Sequence, residues 1–395
     1  MITEEEHKQA PGLIELFLVF LKIGVSAFGG PALVSYVRDA VVEEKKWLDD
    51  EAVREGLGLS QMLPGAIIIN LCTYLGLRIR GLAGSAASFL GMGLPAFATI
   101  FILSMGYLKF KNLPEIIAAF GGLKAVIVAI IAYAIVTFSM VSLKKPTDIF
   151  IALAAALLLW FKVFIPLVIL LAAVAGMILF PKNLVPDKTY MTGVRQSRST
   201  FWFLISVSAL LAAILLALFL LRSDLFLLCS KVLRVALFAF GGGYAALPVL
   251  YNEFVEPSRL VAPAVFADGI ILGQITPGPV IITATFLGVY LSGIAGGLFA
   301  TVYIYIPSFV IVNAVAPYYH RICSSGIFMN AIRGIVSSFS GLLLWTGVSI
   351  AGSVSWSEMH VIMSLAAFII LLFRVNVIWV VLIGTIVSVI PVFLR

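Results

Sequence analysis

Apolar residues run along this chain in stretches long enough to cross a bilayer, separated by short polar breaks. A spanning helix needs about 17–25 such residues. The pattern predicts spans near 14–36, 56–77, 82–108, 116–142, 147–161 and 163–181, a basic linker at 182–200, and one span at 201–221. Six more follow near 226–250, 265–290, 293–316, 327–352, 358–373 and 375–393. The pairs 147–161/163–181 and 358–373/375–393 are interrupted mainly by one base each, Lys162 or Arg374. Each pair reads as two short tilted spans or as a helical hairpin. The N-terminus carries Glu4, Glu5 and Glu6 where a cleavable secretion signal would be positive, so no such signal is expected.

The apolar pattern repeats itself. Phe28-Gly29-Gly30 recurs as Phe240-Gly241-Gly242, and Leu21-Lys22 as Leu233-Arg234, both at an offset of 212. Gln61-x-x-Pro64-Gly65 recurs as Gln274-x-x-Pro277-Gly278 at 213. The offset of 212 returns for Gly81/Gly293, Pro95/Pro307 and Phe161-Lys162-Val163 against Phe373-Arg374-Val375. One register held over this length implies a duplication. The expected organisation is a first repeat at 1–181, a basic linker and connecting helix at 182–225, and a second repeat at 226–395. Six segments per repeat and one linking span invert the second copy. The fold class is therefore an all-α polytopic membrane protein: two inverted-topology repeats of about six helical segments each, joined by a linking transmembrane helix. Cytoplasmic loops favour Lys and Arg. That rule places the N-terminus inside with Arg78, Arg80, Lys144, Lys145, the linker bases, Arg259, Arg321 and Arg374. Lys109, Lys111, Lys162, Arg222 and the acid-rich loop 37–55 fall outside. Inverted repeats are a recurrent plan of secondary transporters, with the site near the midplane.

Composition narrows the class. Hydrophobic residues make up 62% and charged residues 11%, against about 45–50% and about 25% in soluble domains. Three cysteines and three histidines lie far apart, which excludes a disulfide framework and suggests no metal site. The net charge of +7 comes with no basic run interleaved with aromatics, so no nucleic-acid partner is expected. Eleven of the 19 acids lie at or before Glu55. The acid-poor remainder suits a protein that attracts an anion, and equally one that avoids buried charge. HExxH, Walker and GxSxG patterns are absent. The expectation is no enzyme and no cofactor.

Four constellations could carry chemistry. Lys22 and Arg234 each stand six residues before the FGG, with no acid beside them along their predicted spans. A translocated anion is a natural partner; a side chain reaching to the interface is the structural alternative. Phe28, Gly29, Gly30 and Phe240, Gly241, Gly242 could break a helix so that a new N-terminus faces an anion, or let helices pack closely. Gln61, Pro64, Gly65 and Gln274, Pro277, Gly278 combine a helix kink with an uncharged donor. Asn70 and Thr283 follow at the same offset. Glu55 and Asp268, six residues before each Gln, are candidate coupling carboxylates or helix-start acids. Lys124 and Arg333 fall about one turn apart after the shift, and could serve the same face.

The repeated base-x5-FGG, an acidic loop with Trp47, Q-x-x-P-G and a Pro in the third span resemble the chromate ion transporter family in its two-domain, long-chain form. The resemblance covers about 14–181 and 227–393. It departs where Gly243 stands in place of Pro31 and where the second copy lacks the Trp. It implies a secondary transporter in the cytoplasmic membrane that exports chromate, a tetrahedral divalent oxyanion, by alternating access and so gives chromate resistance. Alternatives are a sulfate or small organic anion transporter and a non-transporting scaffold or sensor. The expected partners are a chromate- or sulfate-like oxyanion and the lipid bilayer, with a homodimer left open. The expected binding residues are the two bases, the two FGG runs, the two Q-x-x-P-G runs and Asn70.

Overall fold

A computed structural model describes residues 11–26, 32–181, 197–256 and 258–393. Among them the backbone is helical, with no strand. Helices satisfy their own peptide groups, which a lipid environment requires.

Each repeat opens with half-length helices. The first has α1 (Leu13–Ser26), α2 (Ala32–Arg38) with a π-helical turn at Asp39–Glu44, α3 (Asp50–Met62) and α4 (Ile67–Phe110). At 1.5 Å per residue α1 and α3 are about 20 Å long, so they end inside a hydrocarbon core of about 30 Å. The chain then turns back. Lys45 Nζ sits 2.7 Å from Glu15 Oε1, so after α2 the backbone has returned to the face where α1 begins. Glu55 on α3 accepts from Tyr74 at 2.8 Å, and Gly56 packs against Tyr74 and Leu71. The helix α3 and the first arm of α4 are thus antiparallel around a tip at 63–66. Both pairs are re-entrant hairpins.

The helix α4 is two arms, 67–79 and 82–110. Gly81 adopts φ +61° and ψ −153°, a combination open essentially to glycine alone. A Cβ on Gly76 would meet the Gly84 carbonyl and Ser88. In a straight helix residues 76 and 84 would lie about 12 Å apart, so the arms fold onto each other.

Long spans follow. They are the second arm of α4, α5 (Pro114–Ser142) and, after the lateral hairpin α6 (Pro146–Trp160) and α7 (Ile165–Leu179), α8 (Arg198–Leu221). The second repeat retraces the plan. Its α9 (Ser223–Phe238) and α10 (Ala246–Phe254) close a hairpin through Lys231 Nζ, which donates to the Glu253 carbonyl at 2.7 Å. Next come α11 (Pro263–Ile275), a 3-10 turn at Val280–Ile282 and α12 (Thr283–Val315). Gly293 breaks α12 at φ +62° and ψ −149°, matching Gly81. Thr285 and Thr301 hydroxyls meet at 2.8 Å, where a straight helix would hold residues 285 and 301 about 24 Å apart. The short α13 (Tyr319–Cys323), α14 (Gly326–Gly352) and the hairpin α15 (Glu358–Leu372) and α16 (Val377–Phe393) complete the chain.

The expected spans 14–36, 56–77 and their counterparts are therefore hairpins that leave by the face they entered. Two placements change. Loop 37–55 lies on the same face as the start of α1, and Arg259 lies on the opposite face. Each repeat loses two crossings, so parity is kept and the second repeat is inverted as expected. In each of the two uncertain pairs two short apolar helices meet at a turn, where Lys162 and Arg374 adopt φ +59° and +62°.

The repeats are interlocked. The α6–α7 hairpin packs on α14, where Gly334 abuts the Ala172 carbonyl and Gly341 the Ala152 carbonyl. The α15–α16 hairpin packs on α5, with Gly122 against Ser388 and Gly384 against Val126. The second arms of α4 and α12 cross through Phe89 and Phe309, ring centroids 5.3 Å apart, and Asn313 donates to Ser85 at 2.9 Å. A two-pronged ion pair ties the repeats on the N-terminal face. Arg333 Nε and Nη2 reach Asp148 Oδ1 and Oδ2 at 2.9 and 2.6 Å, and the guanidinium stacks 4.3 Å from the Phe180 ring.

Two outcomes test this fold. Single cysteines at Glu51 and Ser199 are expected to label with a membrane-impermeant thiol reagent from one face, and one at Arg259 from the other; the native cysteines are buried. Asp148→Leu should destabilise the protein by about 3–5 kcal/mol, because it strands Arg333. Adding Arg333→Met should recover most of that loss in the thermal midpoint in detergent.

Candidate functional site

Half-length helices leave broken ends inside the molecule, and these ends meet. The Gly65 amide, at the α3–α4 tip, donates to the Ala239 carbonyl at the α9–α10 tip at 2.9 Å. One tip belongs to each repeat. Gly242, at φ +68°, lies so near Ile67 that a Cβ would collide with it. Gly278, at φ +111°, faces Ala96 on α4, as Gly65, at φ +96°, faces Ser308 on α12. The Gln274 Oε1 accepts from Tyr244, from the turn before α10, at 3.5 Å.

Each tip is followed by a helix start: Ile67, Ala246 and, past its 3-10 turn, Thr283. The first amides of a helix have no acceptor within it and carry the positive end of its dipole. The convergence therefore gathers backbone donors and partial positive charge without any side chain. Such a locus can hold an anion.

The expected residues divide. Pro64, Gly65, Asn70, Gly241, Gly242, Pro277 and Gly278 are at or beside the tips, with Phe240 and Gln274 next to them. Asn70 is fully buried and donates to the Pro64 carbonyl at 3.0 Å. Gln61 is exposed one turn before its tip. Phe28, Gly29, Gly30 and Pro31 lie outside the described residues. Lys22 is exposed, and among the described residues no carboxylate pairs with it.

The charges are arranged otherwise than expected. Arg234 Nη2 is 3.0 Å from Glu253 Oε2, and Lys231 Nζ approaches the same oxygen at 3.4 Å. Glu253 lies on α10, which a single straight span would carry away from Arg234; the hairpin brings it back. Glu55 is held by Arg78 at 2.6 Å and Tyr74. Asp268 accepts from Tyr107 at 2.7 Å and faces Lys124 at 3.6 Å, both from the first repeat. Lys124 and Arg333 thus do not share a face; each has its own carboxylate, Asp268 and Asp148. Glu253, Asp148, Tyr107 and Ser308 were missed from the sequence. For Glu253 the clue was its position thirteen residues past Phe240, a distance that pairs with Arg234 once the chain folds back at FGG.

Comparison with known proteins follows the same duplication. A family model described as chromate transporter matches residues 14–177 and again 226–389. An uncharacterized transporter of Methanocaldococcus jannaschii is 34% identical over 96% of this chain and 94% of its own. The chromate transport protein of Cupriavidus metallidurans is 27% identical over 84% of this chain and 80% of its own. A probable chromate transport protein of Synechococcus elongatus is 28% identical over 85% and 83%. No solved structure matches the chain.

Proposed function

This chain belongs to the chromate transporter family, and from that premise we propose that it is a secondary transporter which exports chromate across the cell membrane by alternating access and so confers chromate resistance. The observation that carries the reading is the contact between the Gly65 and Ala239 tips. It gathers helix starts from both repeats at one buried point, where a tetrahedral oxyanion finds amide donors in place of its hydration shell. Lys22 supplies long-range attraction. Arg234, compensated by Glu253, is a weaker contributor to net charge than its sequence position implied.

Alternating access needs the two repeats to separate on one face while they close on the other. The inter-repeat ion pairs suit that motion. Asp148–Arg333 ties the repeats on the N-terminal face, and Asp268–Lys124, with Tyr107, ties them toward the opposite face. Asp268 in this role is a gate as well as a candidate coupling acid; Glu55, held within its own repeat, is not a gate. An inside-negative potential favours outward movement of an anion by about 2.3 kcal/mol per charge per 100 mV.

Purified protein in liposomes should move chromate down an imposed potential. Lys22→Gln should cut the flux about tenfold or more at unchanged thermal midpoint, the scale of one lost interaction with a charged group. Lys22→Arg should retain most of it. No chromate flux from the native protein, with sulfate flux in the same vesicles, would assign the family's scaffold here to the other oxyanion.

A further inference from the structure

At the first-repeat tip the buried polar atoms do not satisfy one another. Asn70 spends its amide NH2 on the Pro64 carbonyl, and its Oδ1 has no donor. Ser308 is 1% exposed and its hydroxyl has no partner. Other helix hydroxyls here, those of Ser60, Thr73, Ser104 and Thr276, donate to the carbonyl one turn back. Both unpaired atoms face the same glycine. A Cβ on Gly65 would collide with Ser308 Oγ and lie 3.7 Å from Asn70 Oδ1. Native proteins rarely leave such atoms unpaired in the interior, because each gives up its hydration for nothing.

The matching tip of the second repeat is equipped differently, with the buried Gln274 Nε2 unpaired but no hydroxyl and amide oxygen facing its glycine. Gly278 faces the Ala96 methyl, and Thr283, the counterpart of Asn70, donates its hydroxyl to the Val280 carbonyl at 2.8 Å. An unpaired acceptor beside an unpaired hydroxyl on one glycine therefore marks the first-repeat tip, whereas the second has the unpaired Gln274 amide donor.

A donor beside an acceptor does not suit a bare oxyanion, which offers acceptors alone and would be repelled by the Asn70 oxygen. It suits an oxyanion that carries one proton. The charges agree: Arg78 and Lys124 each stand against a buried carboxylate of their own, and Lys231 and Arg234 share one, Glu253. These groups leave one formal positive charge, in the Lys231–Glu253–Arg234 cluster, which balances a monoanion and not a dianion. We infer that the first-repeat tip holds a monoprotonated tetrahedral oxyanion, its hydroxyl donating to Asn70 Oδ1 and one of its oxygens accepting from Ser308 Oγ. The inference rests on the oxyanion-transport reading above and refines its substrate. Chromate takes up a proton near neutral pH, whereas sulfate does so only in strong acid, so the pair selects chromate over sulfate.

The test is competition against chromate flux in proteoliposomes at neutral pH, with sulfate and inorganic phosphate as probes. Both are tetrahedral, and only phosphate bears a hydroxyl there. Phosphate should compete about tenfold or more better than sulfate, the scale of one hydrogen bond involving a charged group. Asn70→Leu should remove that difference. Ser308→Ala should raise the KM for chromate about tenfold or more at unchanged thermal midpoint. The competitor comparison needs no variant, so a misfolded Asn70→Leu leaves it decisive. Sulfate matching phosphate in a preparation that moves chromate overturns the protonated ligand and spares the transport reading, as does a native KM in Ser308→Ala. A native protein that moves no chromate overturns both.

Discussion

An unpaired peptide group is what a hydrocarbon interior tolerates least, and this chain breaks its helices there repeatedly. The broken ends survive because they satisfy one another. The Gly65 amide uses the Ala239 carbonyl, the Ala245 amide uses the Gly242 carbonyl, and the Asn70 side chain takes the Pro64 carbonyl. For these contacts the tips must touch, and for the tips to touch their crowded positions must lack a Cβ. Phe138, Ile67, Ala96 and Ser308 come up against Gly241, Gly242, Gly278 and Gly65 in turn. The long spans then wrap the junction and keep it from lipid.

That wrapping explains why the repeats are not separable bodies. The lateral hairpin of each repeat buries its face on the long helix of the other, α6–α7 on α14 and α15–α16 on α5. The contacts are backbone-close: the Gly334 and Gly341 positions would not admit a methyl against the carbonyls of Ala172 and Ala152. Close backbone approach through small residues is how helices gain packing energy where lipid removes the hydrophobic drive. A single repeat would expose both its tips and these glycine seams. The inter-repeat ion pairs of Asp148 and Asp268 add a polar tie at each face.

The duplication, the helical class and the inversion were legible in the chain, because an offset of 212 and an odd linking span are arithmetic on residues. The tips were half legible. Proline and glycine at 64–65 and 277–278 announced breaks, but a break does not say whether the chain continues or reverses. An apolar run of 22 residues near 56–77 fits one span or two short arms equally well, since hydropathy carries no direction. The same ambiguity hid the charge pairing. Arg234 looked isolated because Glu253 is distant along a straight helix and adjacent across a hairpin. Ser308 was invisible for another reason: a lone serine in a span usually binds its own helix carbonyl, and only the proximity of Gly65 distinguishes this one.

The site proposed above lies where the repeats have diverged. A symmetric pair of inverted repeats would place a ligand on the axis between them. Here Ser308 answers Ala96, Asn70 answers Thr283, and Glu253 and Lys231 answer Val41 and Val19. The backbone keeps the symmetry, as the matched angles of Gly81 and Gly293 attest, while the side chains abandon it. The first-repeat tip thereby gathers its own unpaired acceptor, on Asn70, and an unpaired hydroxyl that the second repeat supplies, on Ser308, while the half-compensated cluster Lys231–Glu253–Arg234 lies behind the second tip. Charge that is half neutralised attracts an anion less strongly than two free bases would and releases it more easily. A transporter gains from both properties, because a site that binds too tightly cannot turn over. In the proposed site the shared scaffold supplies the amide-lined junction, and the asymmetric side chains are what would set which oxyanion enters it and how firmly it is held.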